Sequence, residues 1–259
     1  MEQPRILAPI DFWQQTYGIF PLQEAPANDP VIRWLAEHIP AGQGDCIEIG
    51  CYPGHFQPFF GNLGYRLHGI DVIPRVMEMP AWLRDRGLAV GDFWQQNFFA
   101  FKPQRQFEIV CSFGFIEHFS AWEDVIARHL DLVAPGGWLV IMSPNFSGAL
   151  QKHFHRLLDT DNFRRHYLPA MEPQHWRALA EKQGFLTVFC GYFGRFDMWA
   201  AYQRRSFPAK LMVHGIIDIL VPLLRRLPWP EGRKLYAPCC GLIAKKKEGK
   251  RTNNIPGKQ

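Results

Sequence analysis

The stretch Glu48-Ile49-Gly50-Cys51-Tyr52-Pro53-Gly54 follows a short apolar run and holds two glycines. A glycine loop between a strand and a helix lets backbone approach a ligand closely, and it aims helix N–H groups at negative charge. The same loop also serves as an ordinary tight turn, so it gains meaning only from company. Asp71 supplies it, in Gly69-Ile70-Asp71-Val72, about 20 residues past the loop, where a carboxylate accepts both ribose hydroxyls of an adenosine. Glu48, Gly50, Cys51, Tyr52, Gly54, Asp71 and Val72 are therefore candidates for holding a nucleoside-containing cofactor. Further on, His118 follows a fourth apolar run through a short turn containing Gly114. An imidazole titrates near neutral pH and can take a proton from a substrate. His118 is the candidate base, with Glu117 behind it; a histidine that caps the next helix is the alternative. Tyr17 is a candidate for an N-terminal lid, or a packing residue.

These groups need strands to deliver them. Cys46–Ile49, Tyr65–Val72, Leu88–Val90, Phe107–Ser112 and Trp138–Met142 read as five strands, with helical segments between them. Such alternation implies right-handed crossovers and a parallel sheet. Asn28-Asp29-Pro30 starts a helix whose apolar face is Val31, Ile32, Trp34, Leu35 and Ile39. Pro135-Gly136-Gly137 breaks the helix before the fifth strand. Phe185–Phe193 and Leu235–Lys245 read as a closing hairpin, after a helix over Pro173–Gln183. Between them an insert, roughly 200–234, exceeds what a minimal sheet needs. The expectation is one domain over 1–244, followed by a disordered basic tail over 245–259.

The formal charge of the 259-residue chain is +5. Six basic residues against Glu248 place all of it after residue 244, so the body carries no excess and no nucleic-acid surface is expected. None of the six cysteines falls in a C-x-x-C pair or a zinc spacing, and no secretory signal opens the chain. Both point to a cytoplasmic protein with reduced thiols. His153, His155 and His166, with Asp159 and Asp161, could cover the acceptor side; their spacing matches no standard metal site, so no metal is expected. The apolar run 211–226, flanked by Arg204, Arg205, Lys210, Arg233 and Lys234, is too short to span a bilayer. It suits a peripheral membrane contact, a lid or a subunit contact.

Taken in order, EIGCYPG, GIDV, Gly91-Asp92-Phe93, CSFGFIEHF and LVAPGGWLVI resemble the motif series of class I S-adenosylmethionine-dependent methyltransferases. The resemblance covers about residues 45–145. It implies a Rossmann-like seven-stranded α/β sheet with helices on both faces, its last strand antiparallel. It also implies an N-terminal helical lid and a helical insert before the last strand. S-adenosyl-L-methionine would be the cofactor, with Asp92 accepting from the adenine amino group beside Phe93, and Ser112 and Phe113 completing the site. More narrowly, EIGCYPG, CSFGFIEHF, GYFGRFD and the ending CGLIAKK resemble bacterial methyltransferases of polysaccharide or O-antigen biosynthesis. That implies a glycan, a lipid-linked sugar or another small molecule as acceptor. The usual loop carries a third glycine where Tyr52 stands; Pro53 holds Tyr52 extended, so the change is a variant and not a loss of binding. Two other classes remain open: a nicotinamide-dependent oxidoreductase, against which the loop lacks G-x-G-x-x-G, and a cofactor-binding or membrane-docked partner without turnover.

Overall fold

The computed structural model describes residues 6–198 and 214–248. Its strands are β1 (Asp45–Ile49), β2 (Arg66–Asp71), β3 (Val90–Gln95), β4 (Phe107–Phe113), β5 (Val133–Pro144), β6 (Phe185–Phe193) and β7 (Cys239–Lys246). They form one sheet in the order β3-β2-β1-β4-β5-β7-β6. The first five are parallel, and β7 runs antiparallel to both β5 and β6. This is the expected Rossmann-like arrangement. The interior strands bury both faces, which is why Ile109–Cys111 reads as an unbroken apolar run and only Glu48 interrupts Cys46–Ile49.

The helices are α1 (Ile10–Tyr17), α2 (Pro30–His38), α3 (Gln57–Asn62), α4 (Met79–Arg84), α5 (Trp122–Leu132), α6 (Ala149–Leu158), α7 (Thr160–Arg164), α8 (Pro173–Lys182) and α9 (Val221–Arg225). Asp29 caps α2 by accepting from the Val31 N–H at 2.7 Å, with Pro30 at the first position. Two cores result. Val125 and Ile126 of α5 and Trp176 of α8 pack on one face. Trp34 and Leu35 of α2 and Met79 and Leu83 of α4 pack on the other.

Three strands differ most from the sequence expectation. β3 starts and ends later: Leu67 pairs with Val90, and after a bulge Gly69 pairs with Phe93 and Asp71 with Gln95. Pro135-Gly136-Gly137 does not precede β5 but bulges out of it, between the pairs Phe107–Val133 and Ile109–Trp138. β7 runs past residue 244, because Lys245 pairs with Trp138 and Lys246 with Phe185. The tail beyond residue 248 lies outside the described residues, as do 199–213 of the insert, with Arg204, Arg205 and Lys210.

The described part of the insert is a π-helical stretch, Gly215–Leu220, continued by α9. Ile216, Ile217 and Leu224 pack against Phe196, Met198, Val221 and Tyr236. Ile219, Leu220, Leu223 and Leu227 stay exposed. Among the described residues, no helix is long and apolar enough to cross a membrane.

One glycine marks how tightly the hairpin end is packed. Trp34 stacks on Phe193 with centroids 4.4 Å apart, and a Cβ on Gly241 would stand 2.6 Å from the Trp34 ring. Gly241→Ala should destabilise the fold by about 1–3 kcal/mol through overpacking. Urea unfolding measures it, as a lower midpoint with an unchanged slope.

Candidate functional site

A cavity of about 640 Å³ opens over the C-terminal ends of β1, β2 and β4. That volume lies within the roughly 300–1,000 Å³ usual for small-molecule sites. It sits where the strand order reverses, between β1 and β4. A hollow of about 540 Å³ near Phe101–Gln106 is more open and lies away from these strand ends.

The glycine loop forms one wall. Gly50 has φ +71 and Gly54 φ +88, a conformation that other residues adopt at a cost. The missing side chains leave room for protein: a Cβ on Gly50 would meet the Phe115 ring at 2.6 Å, and one on Gly54 would meet Met79 at 3.0 Å. Tyr52 stands without a positive φ, as expected of the variant loop. Its backbone N–H donates to Asp71 Oδ2 at 3.0 Å, and the Ile73 N–H donates to Asp71 Oδ1 at 2.9 Å. Asp71 is nearly buried, and burial pushes its carboxyl up to about 6 despite these donors. Glu48 lies beside it; burial first, then the Asp71 charge, pushes its carboxyl well above the usual range. Glu48 Oε2 is buried without a hydrogen-bond partner and borders the cavity. An unpaired acceptor there suits a hydroxyl donor from a ligand.

The opposite end is built by the turn after β4. Ile116–His118 forms a single 3₁₀ turn that buries Glu117 and His118. Neither carboxyl oxygen of Glu117 has a hydrogen-bond partner. The Ser143 hydroxyl approaches but donates to the Pro144 carbonyl at 3.2 Å. Burial pushes Glu117 up to about 8 and His118 down to about 4. His118 Nδ1 lies 2.9 Å from the Arg165 carbonyl, and His166 Nδ1 lies 2.7 Å from the Asn162 carbonyl. A carbonyl only accepts, so each Nδ1 carries the proton and each Nε2 keeps a lone pair. The two rings stand 4.7 Å apart, and all three side chains border the cavity.

The N-terminal segment covers the opening. Trp13 of α1 contacts the His118 ring at 4.6 Å, and the Leu7 N–H donates to the His118 carbonyl at 2.9 Å. Tyr52 donates its hydroxyl to the Phe20 carbonyl at 2.7 Å, and Arg75 donates to the Gly18 and Phe20 carbonyls. Tyr17 borders the cavity as well, and burial first, then the nearby Glu117, raises its phenol.

Residues 23–188 match the family model described as a methyltransferase domain. The chain belongs to this methyltransferase family. It is an S-adenosylmethionine-dependent methyltransferase, as its motif series implied, and Gly50, Gly54, Glu48 and Asp71 border its cavity. It is 24% identical over 136 residues to the ubiquinone biosynthesis O-methyltransferase of Thiobacillus denitrificans, covering 52% of this chain and 58% of that protein. It therefore spans under two thirds of that relative's length. It is 23% identical over 207 residues to the trans-aconitate 2-methyltransferase of Mycobacterium tuberculosis, covering 74% of each. Two solved structures share its fold. A candidate methyltransferase from Bacillus halodurans has a TM-score of 0.56 and 15% identity, with coverage of 83% of this chain and 97% of that one. The N-methyltransferase NodS from Bradyrhizobium japonicum with S-adenosyl-L-homocysteine has a TM-score of 0.51 and 15% identity, with coverage of 94% and 96%.

The methyltransferase cavity gathers most of the residues expected at the site, but not all. Glu48, Gly50, Cys51, Tyr52, Gly54, Asp71, Val72, Phe113, Glu117 and His118 border it. The Cys51 thiol is buried against Met79 Sδ, 3.7 Å away. Asp92 and Phe93 do not border it. Because β3 continues to Gln95, Asp92 is a mid-strand residue pointing outward, paired with Arg105 at 2.8 Å. Phe93 is buried beside Gly69. Gln96 and Asn97 hold the strand-end positions that Asp92 was expected to hold. Ser112 is fully buried in the central strand β4 and does not border the cavity. Of the later histidines only His166 borders it: His153 is bonded to the Ala149 carbonyl, and His155 stacks on Phe146 at 3.7 Å. Trp13, Phe20 and Arg165 went unread, because their segments carry no motif.

The burial of Asp71 has a measurable consequence. Raising a carboxyl from 3.8 to about 6 means the folded state resists its ionisation. Stability from this group is present below pH 4 and lost as pH rises through 6. At about 1.4 kcal/mol per pH unit the loss reaches about 3 kcal/mol. Asp71→Asn should therefore gain stability relative to wild type between pH 4 and 7, read by urea unfolding at both. A flat difference would mean Asp71 ionises normally.

Proposed function

We propose that this methyltransferase transfers the methyl group to a hydroxyl on a small, largely apolar and planar acceptor. The observation that carries this reading is the wall of the cavity. Phe12, Trp13, Phe20, Phe99, Phe115 and Phe119 border it; apart from Glu48, Asp71, Gln96 and Asn97 on the cofactor side, its polar groups include the Glu117–His118–His166 cluster. A buried sugar would leave hydroxyls unpaired against such a wall, at about 1–3 kcal/mol each. This disfavours the glycan acceptor that the narrower resemblance implied. The Thiobacillus relative, named as an O-methyltransferase, agrees with oxygen as the acceptor atom.

When bound, S-adenosylmethionine supplies an electrophilic methyl on a sulfonium. Asp71 and Glu48 would accept the ribose hydroxyls, and Gly50, Cys51, Tyr52 and Gly54 would form the backbone wall beside them. Val72 and Phe113 would flank that wall, and Gln96 and Asn97, which border the cavity, would take the place expected of Asp92 and Phe93. The covering aromatic rings exclude water from the reacting groups. His118 and Glu117 face the acceptor oxygen, which must lose its proton as the new C–O bond forms. Calorimetry should show binding of S-adenosylmethionine and none of NAD. Labelled methyl groups should pass to hydroxylated aromatic compounds and not to free hexoses. Transfer to hexoses alone would overturn the acceptor reading.

We also propose that the exposed Ile219, Leu220, Leu223 and Leu227, with Arg225 and Arg226 beside them, form a peripheral membrane contact. An apolar acceptor would be met at such a surface. Liposome flotation should show binding to vesicles with anionic lipid, reduced by Leu220→Ser with Leu223→Ser. Ile217 is unsuitable for this test because it packs inward.

A further inference from the structure

Glu117, His118 and His166 each offer a ligand atom to the same point: these atoms lie within 4.8 Å of one another, and His118 Nε2 is 3.9 Å from Glu117 Oε1. Around a tetrahedrally bound ion, ligand atoms stand roughly 3.4 Å apart, so a small side-chain adjustment closes the set. We propose that these three residues form a site for a divalent first-row transition ion at the acceptor end of the cavity. The sequence spacing conceals it, because His166 comes from the far side of α7.

Three observations carry the assignment. First, both histidines are set as ligands. Their Nδ1–H groups are spent on the Arg165 and Asn162 carbonyls, which turns the Nε2 lone pairs to the cluster. Backbone carbonyls commonly orient metal-binding histidines in this way. Second, Glu117 is fully buried with both carboxyl oxygens unpartnered. A buried carboxyl without partners is costly, and a cation removes the cost. Third, two imidazoles and one carboxylate fill only three positions. The open ones face the cavity that the three residues border. This is the arrangement of a catalytic site and not of a closed structural one, and its nitrogen and oxygen donors suit zinc, cobalt, iron or manganese.

The site deepens the reading of an oxygen acceptor and rests on it for its role. An ion there would take a lone pair of the acceptor hydroxyl and lower its pKa. The proton would leave to solvent, and the oxygen would use its other electron pair to form the bond to the methyl carbon. The C–S pair would return to sulfur. The histidines would then act by holding the ion.

The test uses the full chain without a histidine tag, stripped with a chelator and titrated with Zn²⁺ by calorimetry and Co²⁺ by visible absorption. One equivalent should bind. Glu117→Gln and His166→Gln should each weaken binding at least about tenfold, the lower end of what even an outer-shell change costs. His153→Gln, altering an exposed histidine outside the cluster, should leave it unchanged. Circular dichroism checks that each variant folds. X-ray absorption of the zinc-loaded wild type counts the imidazoles without any substitution, and two are expected. No stoichiometric binding, equal binding by the folded variants, or an imidazole count other than two would overturn the site. S-adenosylmethionine binding measured on the same stripped protein keeps the two readings separable. Intact cofactor binding with no metal overturns the ion alone, and metal binding without cofactor binding overturns the methyl-donor reading.

Discussion

The reversal of strand order between β1 and β4 governs the rest of this molecule. Chain leaving these neighbouring parallel strands must turn to opposite faces, so nothing in the sheet fills the gap above them. The cavity is that gap. Glu48 and Gly50 reach it from β1, Asp71 from β2, and Phe113 with the Glu117–His118 turn from β4. Residues scattered over some 70 positions meet because three parallel strands end at one level, as the pairing of Glu48 with both Gly69 and Cys111 shows.

The gap is useful only if water is kept out, and covering it costs the acids that line it. Desolvation raises Glu48, Asp71 and Glu117 and lowers His118 and His166. The direction is the same throughout, toward the uncharged form. Asp71 recovers part of that cost by bracing the loop with two backbone N–H donors, so it shapes the site and lines it at once. Glu117 recovers little, which is why it is the residue whose burial most calls for an explanation.

The cover itself is held by polar contacts between distant segments. Tyr52 and Arg75 fix the carbonyls of residues 18 and 20, and Ile6 pairs with Phe119. On the other side the Asn145 amide donates to the Lys234 and Ala237 carbonyls, and Gln151 donates to those of Asp197 and Tyr236. Each amide ties a helix entry to a loop more than 40 residues away in sequence. A third glycine in place of Tyr52 would lose the hydroxyl contact to Phe20, so the loop variant and the lid belong together.

The sequence by itself determined the architecture and the cavity wall that the glycine loop and Asp71 share. Apolar runs alternating with helical segments demand a parallel sheet, and the glycine loop with Asp71 is local, each part within a few residues of a strand end. Local signals failed where a boundary depended on a neighbour. β3 is edge-paired and only partly buried, so its hydrophobic pattern was weak, and a shift of its end moved Asp92 out of the site and Gln96 in. The acceptor end was decided by the tertiary structure. Trp13, Arg165 and His166 come from segments far apart in the chain, and no spacing rule links His166 to Glu117 and His118. Burial too was invisible beforehand: nothing in the residues around Asp71 tells that the loop packs over it. Pairing rules act along the chain, whereas desolvation and convergence depend on what packs from elsewhere.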